Sequence, residues 1–339
     1  MKKLWTVGLL LTIGGIGMTV VGLGISKYTK DSLYEDRKRN GEVIKVVENS
    51  YEIPNQLVID VDTCDIKIIE ETKKAQVTIQ YPNDYEVSAT KEKLSVQPLE
   101  GEVRQKTPWY RKFMWNGFIS MKDDRSTNTI VVGIPKNYKG EIQIESNEGD
   151  ISWENLDARI NNLFITVAFG DVKLEHVQVK NKARLQIDSG DLKLYNLDVE
   201  KEIEIENMYG DISMNQIKAN HILVSSDSGD IQMSGIHIDS LRMEMLYGDL
   251  ALRDVKGKQL IVKSQSGDIA TKSLDLNKIS IEGEYGDISC KDLAGSYEDY
   301  KILTNTKYGD CNIDPKLEGK KVLEIRTNSG DINGSFTSK

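Results

Sequence analysis

The sequence predicts an all-β fold: a single-chain β-helix, or β-solenoid, with coils of about 19–21 residues, preceded by one N-terminal transmembrane helix. Three observations carry this. The pair Gly-Asp recurs ten times between Gly149 and Asp331, at steps of 21, 20, 20, 19, 19, 19, 19, 23 and 21 residues. Apolar residues keep fixed offsets from those glycines. Near the amino end, the twenty-three residues from Leu4 to Ser26 carry no charge. A fixed period near 20 residues marks a solenoid, in which one coil cannot bury its apolar face alone and stacking supplies the core.

The uncharged run is long enough to span a bilayer. It lacks the small-x-small cleavage site of a signal peptide, so residues 1–26 read as an uncleaved anchor. Lys2 and Lys3 favour an inside amino end, although Lys27, Lys30, Arg37, Lys38 and Arg39 follow the span. A rod suits a cell surface. The expected topology is therefore a single pass through the cell membrane, with the amino terminus cytoplasmic and the solenoid extracellular. Residues 27–50 are charged and poor in apolar side chains, a juxtamembrane stalk.

Residues 51–135 are β-rich but irregular and read as a divergent cap, since terminal coils of solenoids must close the core. Val58 to Ile68 resembles a degenerate first coil, with Cys64 at the glycine position. Arg104 to Arg125 breaks the style of the rest. Trp109, Tyr110, Phe113 and Trp115 stand there beside Arg111 and Lys112. Aromatics among bases suit a membrane interface or a binding loop; a hairpin whose aromatics cover the open core is the other reading, and the one favoured. The segment is the candidate contact loop.

Residues 136–339 hold the repeat. Its corner column is Gly149-Asp150, Gly170-Asp171, Gly190-Asp191, Gly210-Asp211, Gly229-Asp230, Gly248-Asp249, Gly267-Asp268, Gly286-Asp287, Gly309-Asp310 and Gly330-Asp331. Two residues past each glycine stands a column such as Ile151, Val172, Leu192 and Ile212; seven before it, one such as Ile142, Leu163 and Ile203. Alternation at period two on either side indicates strands with one buried face. Glycine permits a positive φ at a tight corner, and aspartate often caps a turn by bonding its own backbone. Carboxylates stacked about 5 Å apart repel by about 0.8 kcal/mol in water. The file therefore needs amide donors, which is the expectation, or bridging cations, which is the alternative.

The residue before the glycine reads Glu148, Phe169, Ser189, Tyr209, Ser228, Tyr247, Ser266, Tyr285, Tyr308, Ser329. By parity it falls in phase with the inward columns, so large and small side chains are expected to interdigitate between coils. The alternative is an outward tyrosine ladder for stacking on sugars. Cys290 and Cys311 also fall at inward offsets and read as small buried hydrophobes, in a register that disfavours a disulfide.

A net charge of −9 argues against nucleic acid as partner. His176, His221 and His237 occupy different offsets in the coil, so neither a metal cluster nor a hydrolytic triad is expected, and no cofactor. Some β-helices are polysaccharide-active enzymes using carboxylates with Arg or Lys; here acidic groups are spread everywhere, and an enzyme is the lesser alternative. Nothing in the sequence sets the oligomeric state.

The stretch Thr129 to Tyr138, with its Pro135-Lys136-Asn137-Tyr138 turn, then Ile142, Ile144 and Gly149-Asp150-Ile151, resembles the bacterial DUF4097 family, also described as candidate adhesins. The resemblance covers roughly Val58 to Asn333. It implies a β-helical surface domain and relatives that take part in envelope-stress responses of Gram-positive bacteria, and it brings no catalytic motif. The expected function is thus a non-enzymatic, membrane-anchored binding or scaffold protein of the cell envelope. Its partner would be an envelope polymer, or a membrane protein through which it modulates a stress signal.

Overall fold

The computed structural model describes residues 46–73, 75–99, 129–154 and 156–337. These form an all-β solenoid. In its middle, single strands run the whole way from one Gly-Asp corner to the next: Val172–Ser189, Leu192–Tyr209, Ile212–Ser228, Ile231–Tyr247 and Leu250–Ser266. Each pairs in parallel with the next, in register, so that Leu192 lies over Ile212 and Ile203 over Ile222. Equivalent residues therefore sit about 4.8 Å apart along the stack. The inward columns fill the interior from end to end, with Trp153 and Tyr138 among the largest fully buried side chains near one end.

Two corners shape each coil. One is the Gly-Asp pair. The other lies six residues later, where the chain takes a left-handed conformation in coil after coil: His176, Asn196, Gln216, Asp254, Ser273 and Asp292 have φ between 52° and 58°, and Gly235 has 66°. Asparagine, aspartate and glycine tolerate this region best; β-branched side chains, which do not, are missing from the column.

Strand parity fails at the first corner. Inward pointing ends three residues before the glycine, at Asn207, Ser226 or Met245, and both following residues face outward. The tyrosines expected to pack inside are thus outside: Tyr209, Tyr247, Tyr285 and Tyr308 are 46%, 56%, 54% and 63% exposed. Alternation cannot be counted through a bend in the chain.

Spatial order departs from chain order at both ends. Strand Lys278–Tyr285 does not pair with Tyr300–Tyr308; Lys321–Ser329 lies between them, parallel to both. The chain builds the outermost coil first and then returns to fill the gap. At the other end Gln56–Val61 lies between Lys93–Pro98 and Glu141–Glu148. Likewise Asp65–Glu71 lies between Thr129–Pro135 and Ile151–Trp153. Antiparallel strands then close that end, Val77–Pro82 on Thr129–Pro135 and Val46–Tyr51 on Val77–Pro82. At the carboxy end Ile302 and Lys316 exchange two backbone hydrogen bonds, of 2.7 and 3.0 Å, in an antiparallel bridge. Both devices blunt edges that would otherwise template further pairing.

The returning coil also corrects the reading of Cys311. Cys290 is buried and Cys311 exposed, because Cys311 belongs to the outermost coil, where nothing stacks beyond it. Both are free. The strand of Cys290 pairs with Ile332–Phe336 and Cys311 bridges Ile332, so a whole coil separates the two sulfurs.

The expected membrane anchor and residues 27–45 of the stalk lie outside the described residues. Among the described residues no helix is long and apolar enough to cross a membrane.

Candidate functional site

The Gly-Asp corner is built by two reinforcing ladders. The glycines have φ between 125° and 158°, a range that L side chains rarely adopt. A Cβ on any of them would also lie within 2.2 Å of the carbonyl oxygen one rung below. Gly149 rests on Cys64 in this way. Cys64 thus heads the file from the coil that the sequence marked as degenerate.

Beside the glycines runs the aspartate ladder. The backbone N–H of Asp150 donates to Oδ1 of Asp65 at 2.9 Å, that of Asp171 to Asp150 at 3.0 Å, and the pattern continues through Asp191, Asp211, Asp230, Asp249, Asp268 and Asp287. Asp331 then donates to Asp287, and Asp310 to Asp331, each at 2.8 Å. The ladder therefore follows spatial order through the exchanged coils. Each carboxylate below the last rung accepts an amide hydrogen bond from its neighbour. Such charge-assisted bonds contribute about 1.5–3 kcal/mol, against about 0.8 kcal/mol of neighbouring repulsion in water. Among the described residues no group of three or more His, Cys, Asp or Glu side chains is arranged to hold a metal ion.

On the other side of each glycine stands the outward column that sequence parity turned inward. In chain order its Tyr/Ser alternation breaks at Tyr285, Tyr308, Ser329. In space it does not break. Tyr209 pairs with Ser228, Ser228 with Tyr247, Tyr247 with Ser266, Ser266 with Tyr285, Tyr285 with Ser329 and Ser329 with Tyr308. Phe169 and Ser189 extend the same alternation at the other end. The tyrosines form a comb with one tooth every second strand, about 9.6 Å apart. Met208 and Leu246, each 43% exposed, stand beside Tyr209 and Tyr247, and the Lys307 ammonium lies 5.0 Å from the Tyr308 ring centre. The broken alternation in the sequence was the available signal for both the comb and the exchange of coils.

The candidate contact loop, Trp109, Tyr110, Arg111, Lys112, Phe113 and Trp115, lies outside the described residues. Its flanks are placed: the chain leaves the cap after Pro98 and returns at Thr129, on the end of the solenoid that also carries Val46. The three histidines stay apart in the coil sequence, His176 at the left-handed corner, edge-on to Tyr195 with ring centres 5.5 Å apart. Tyr138 of the Pro-Lys-x-Tyr turn is buried, and its hydroxyl donates to the Glu141 carbonyl at 2.8 Å. Burial pushes its ionisation upward. It ties the turn to the start of strand Glu141–Glu148.

A regular parallel solenoid with a Gly-Asp corner defines the class. The chain belongs to the Toastrack DUF4097 family, whose model matches twice, over residues 54–207 and 184–335. No curated protein matches it. Among solved structures it is similar to a candidate adhesin from Bacteroides fragilis, at 11% identity and a TM-score of 0.35 over 86% of this chain and 97% of that one. A candidate lipid-binding protein from Parabacteroides distasonis gives 13% and 0.38 over 86% and 96%.

Proposed function

We propose that the protein is a non-enzymatic scaffold of the cell envelope, held by a single membrane span, whose extracellular solenoid binds an envelope polymer as an adhesin would. The observation that supports this most is the outward comb of tyrosines on a regular stack. Exposed aromatic side chains in organised arrays are costly to leave in water and mark contact surfaces. The test is co-sedimentation of the full chain in detergent with purified cell-wall sacculi. Saturable binding is expected; none would remove the adhesin reading. Digestion of intact cells with an added protease tests the topology, and protection of the solenoid would place it on the other side of the membrane.

A second reading rests on composition: aromatics among bases in the segment with Trp109 and Trp115 suit a membrane interface or a membrane protein, through which the chain would modulate a stress signal. Replacing Trp109 and Trp115 with Ala would then change envelope-stress transcription while far-UV circular dichroism stays the same. A collapse of the fold would instead make these aromatics part of the cap.

A further inference from the structure

We infer that the tyrosine comb is a docking edge for a β-1,4-linked amino-sugar chain lying along the solenoid axis, an inference that rests on the polymer-binding reading above. Three features select this occupant. The first is the step. Tyr209, Tyr247, Tyr285 and Tyr308 recur every second strand, about 9.6 Å, which is close to the length of two β-1,4-linked pyranose rings. In such chains successive rings are flipped, so every second ring turns the same face to one side. A tooth at every second strand meets that face each time. An α-1,4 chain coils and loses the match.

The second is the gap between teeth. Aromatic residues at every rung would stand about 4.8 Å apart and cover one another, leaving no ring face for a ligand. Serines on the intervening rungs open the space and supply small hydroxyls at its floor. The alternation holds in space through Tyr285, Ser329 and Tyr308 although the chain order is different. Whatever keeps the pattern acts on the assembled edge. Core packing does not explain it, because the tyrosines face solvent.

The third is charge. The glycine between tyrosine and aspartate leaves bare backbone, and beyond it runs the file of carboxylates from Asp211 to Asp310, exposed on the same corner. Carboxylates accept hydrogen bonds from sugar hydroxyls and from ammonium or amide groups at C2, and they repel polyanions such as phosphate-rich polymers. A glucosamine chain, acetylated or free, satisfies all three features.

The experiment is calorimetric titration of the full chain in detergent with tetramers, hexamers and octamers of glucosamine and of N-acetylglucosamine, with maltohexaose as control. Affinity is expected to rise with each added pair of sugars, to weaken with salt for the glucosamine series and hardly at all for the acetylated one, and to be absent for maltohexaose. Tyr247→Ala and Tyr285→Ala are each expected to weaken hexamer binding about tenfold, and Tyr247→Phe to restore most of it. Unchanged melting temperatures would show that the variants remain folded. No binding, equal binding of maltohexaose, or indifference to the alanine variants would overturn the inference. If the alanine variants still sediment with sacculi as the wild type does, the comb inference falls and polymer binding stands on another surface.

Discussion

Two kinds of glycine can be told apart by what a methyl group would meet. At Gly210 the added Cβ would lie 2.1 Å from the Gly190 carbonyl oxygen, at a φ of 136°. At Gly235 the nearest atom is 3.6 Å away and only the φ of 66° is unfavourable. Gly235→Ala should therefore cost about 1 kcal/mol, whereas Gly210→Ala must push two coils apart and should cost about 3–5 kcal/mol. Urea midpoints of the two variants will show whether that ranking holds. The thiols give a second contrast. Burial raises the pKa of Cys64 and of Cys290 to about 11, while Cys311 is exposed. At pH 8 the native protein should react with one equivalent of a thiol reagent, and with three after unfolding. The inward columns and the corner glycines were readable from residue offsets, because in-register stacking repeats one environment ten times; the aspartates were expected to cap their own turns, whereas each carboxylate takes the amide of the neighbouring coil. Parity misled at the tyrosines, since two neighbours face outward where the chain bends. It misled at Cys311 because that residue is equivalent to its column in register but has no coil above it.

Among elements, the aspartate ladder couples coil to coil through one atom per rung. Asp230→Asn keeps an oxygen for the Asp249 amide, 2.9 Å away in the wild type, and removes one like charge; stability should change by less than about 0.5 kcal/mol. Asp230→Ala removes the acceptor, and should cost about 1–3 kcal/mol. Equal losses in thermal unfolding would show that charge, not the hydrogen bond, is what the position needs. Because the file is made of like charges, added salt should raise the melting temperature of the wild type, and less so that of a variant with several Asp→Asn changes. The left-handed corner was legible only in hindsight: His176, Asn196, Gln216, Gly235, Asp254, Ser273 and Asp292 share no chemistry except the lack of a branched Cβ.

For the whole molecule, coil order is the property that a repeat unit hides. Offsets identify which residues are equivalent, but equivalent residues read alike in whatever order they stack, so offsets alone do not distinguish the exchanged coils. The interruption of the Tyr/Ser pattern was the one trace. Removing residues 321–339 should accordingly do more than delete a final coil. It would strip the seat from Tyr300–Tyr308, which pairs with Lys321–Ser329, and uncover Lys278–Tyr285 as well. Limited proteolysis of the truncated chain should release fragments ending well before residue 300, and a protected Tyr300–Tyr308 segment would refute this.

Most stacked repeats can fray from their last unit inward, as a zip opens from its free tab. Here the tab is tucked beneath the tooth before it. The carboxy-terminal strand cannot peel away until an earlier stretch of chain has lifted off, so opening at that end must disturb two layers together.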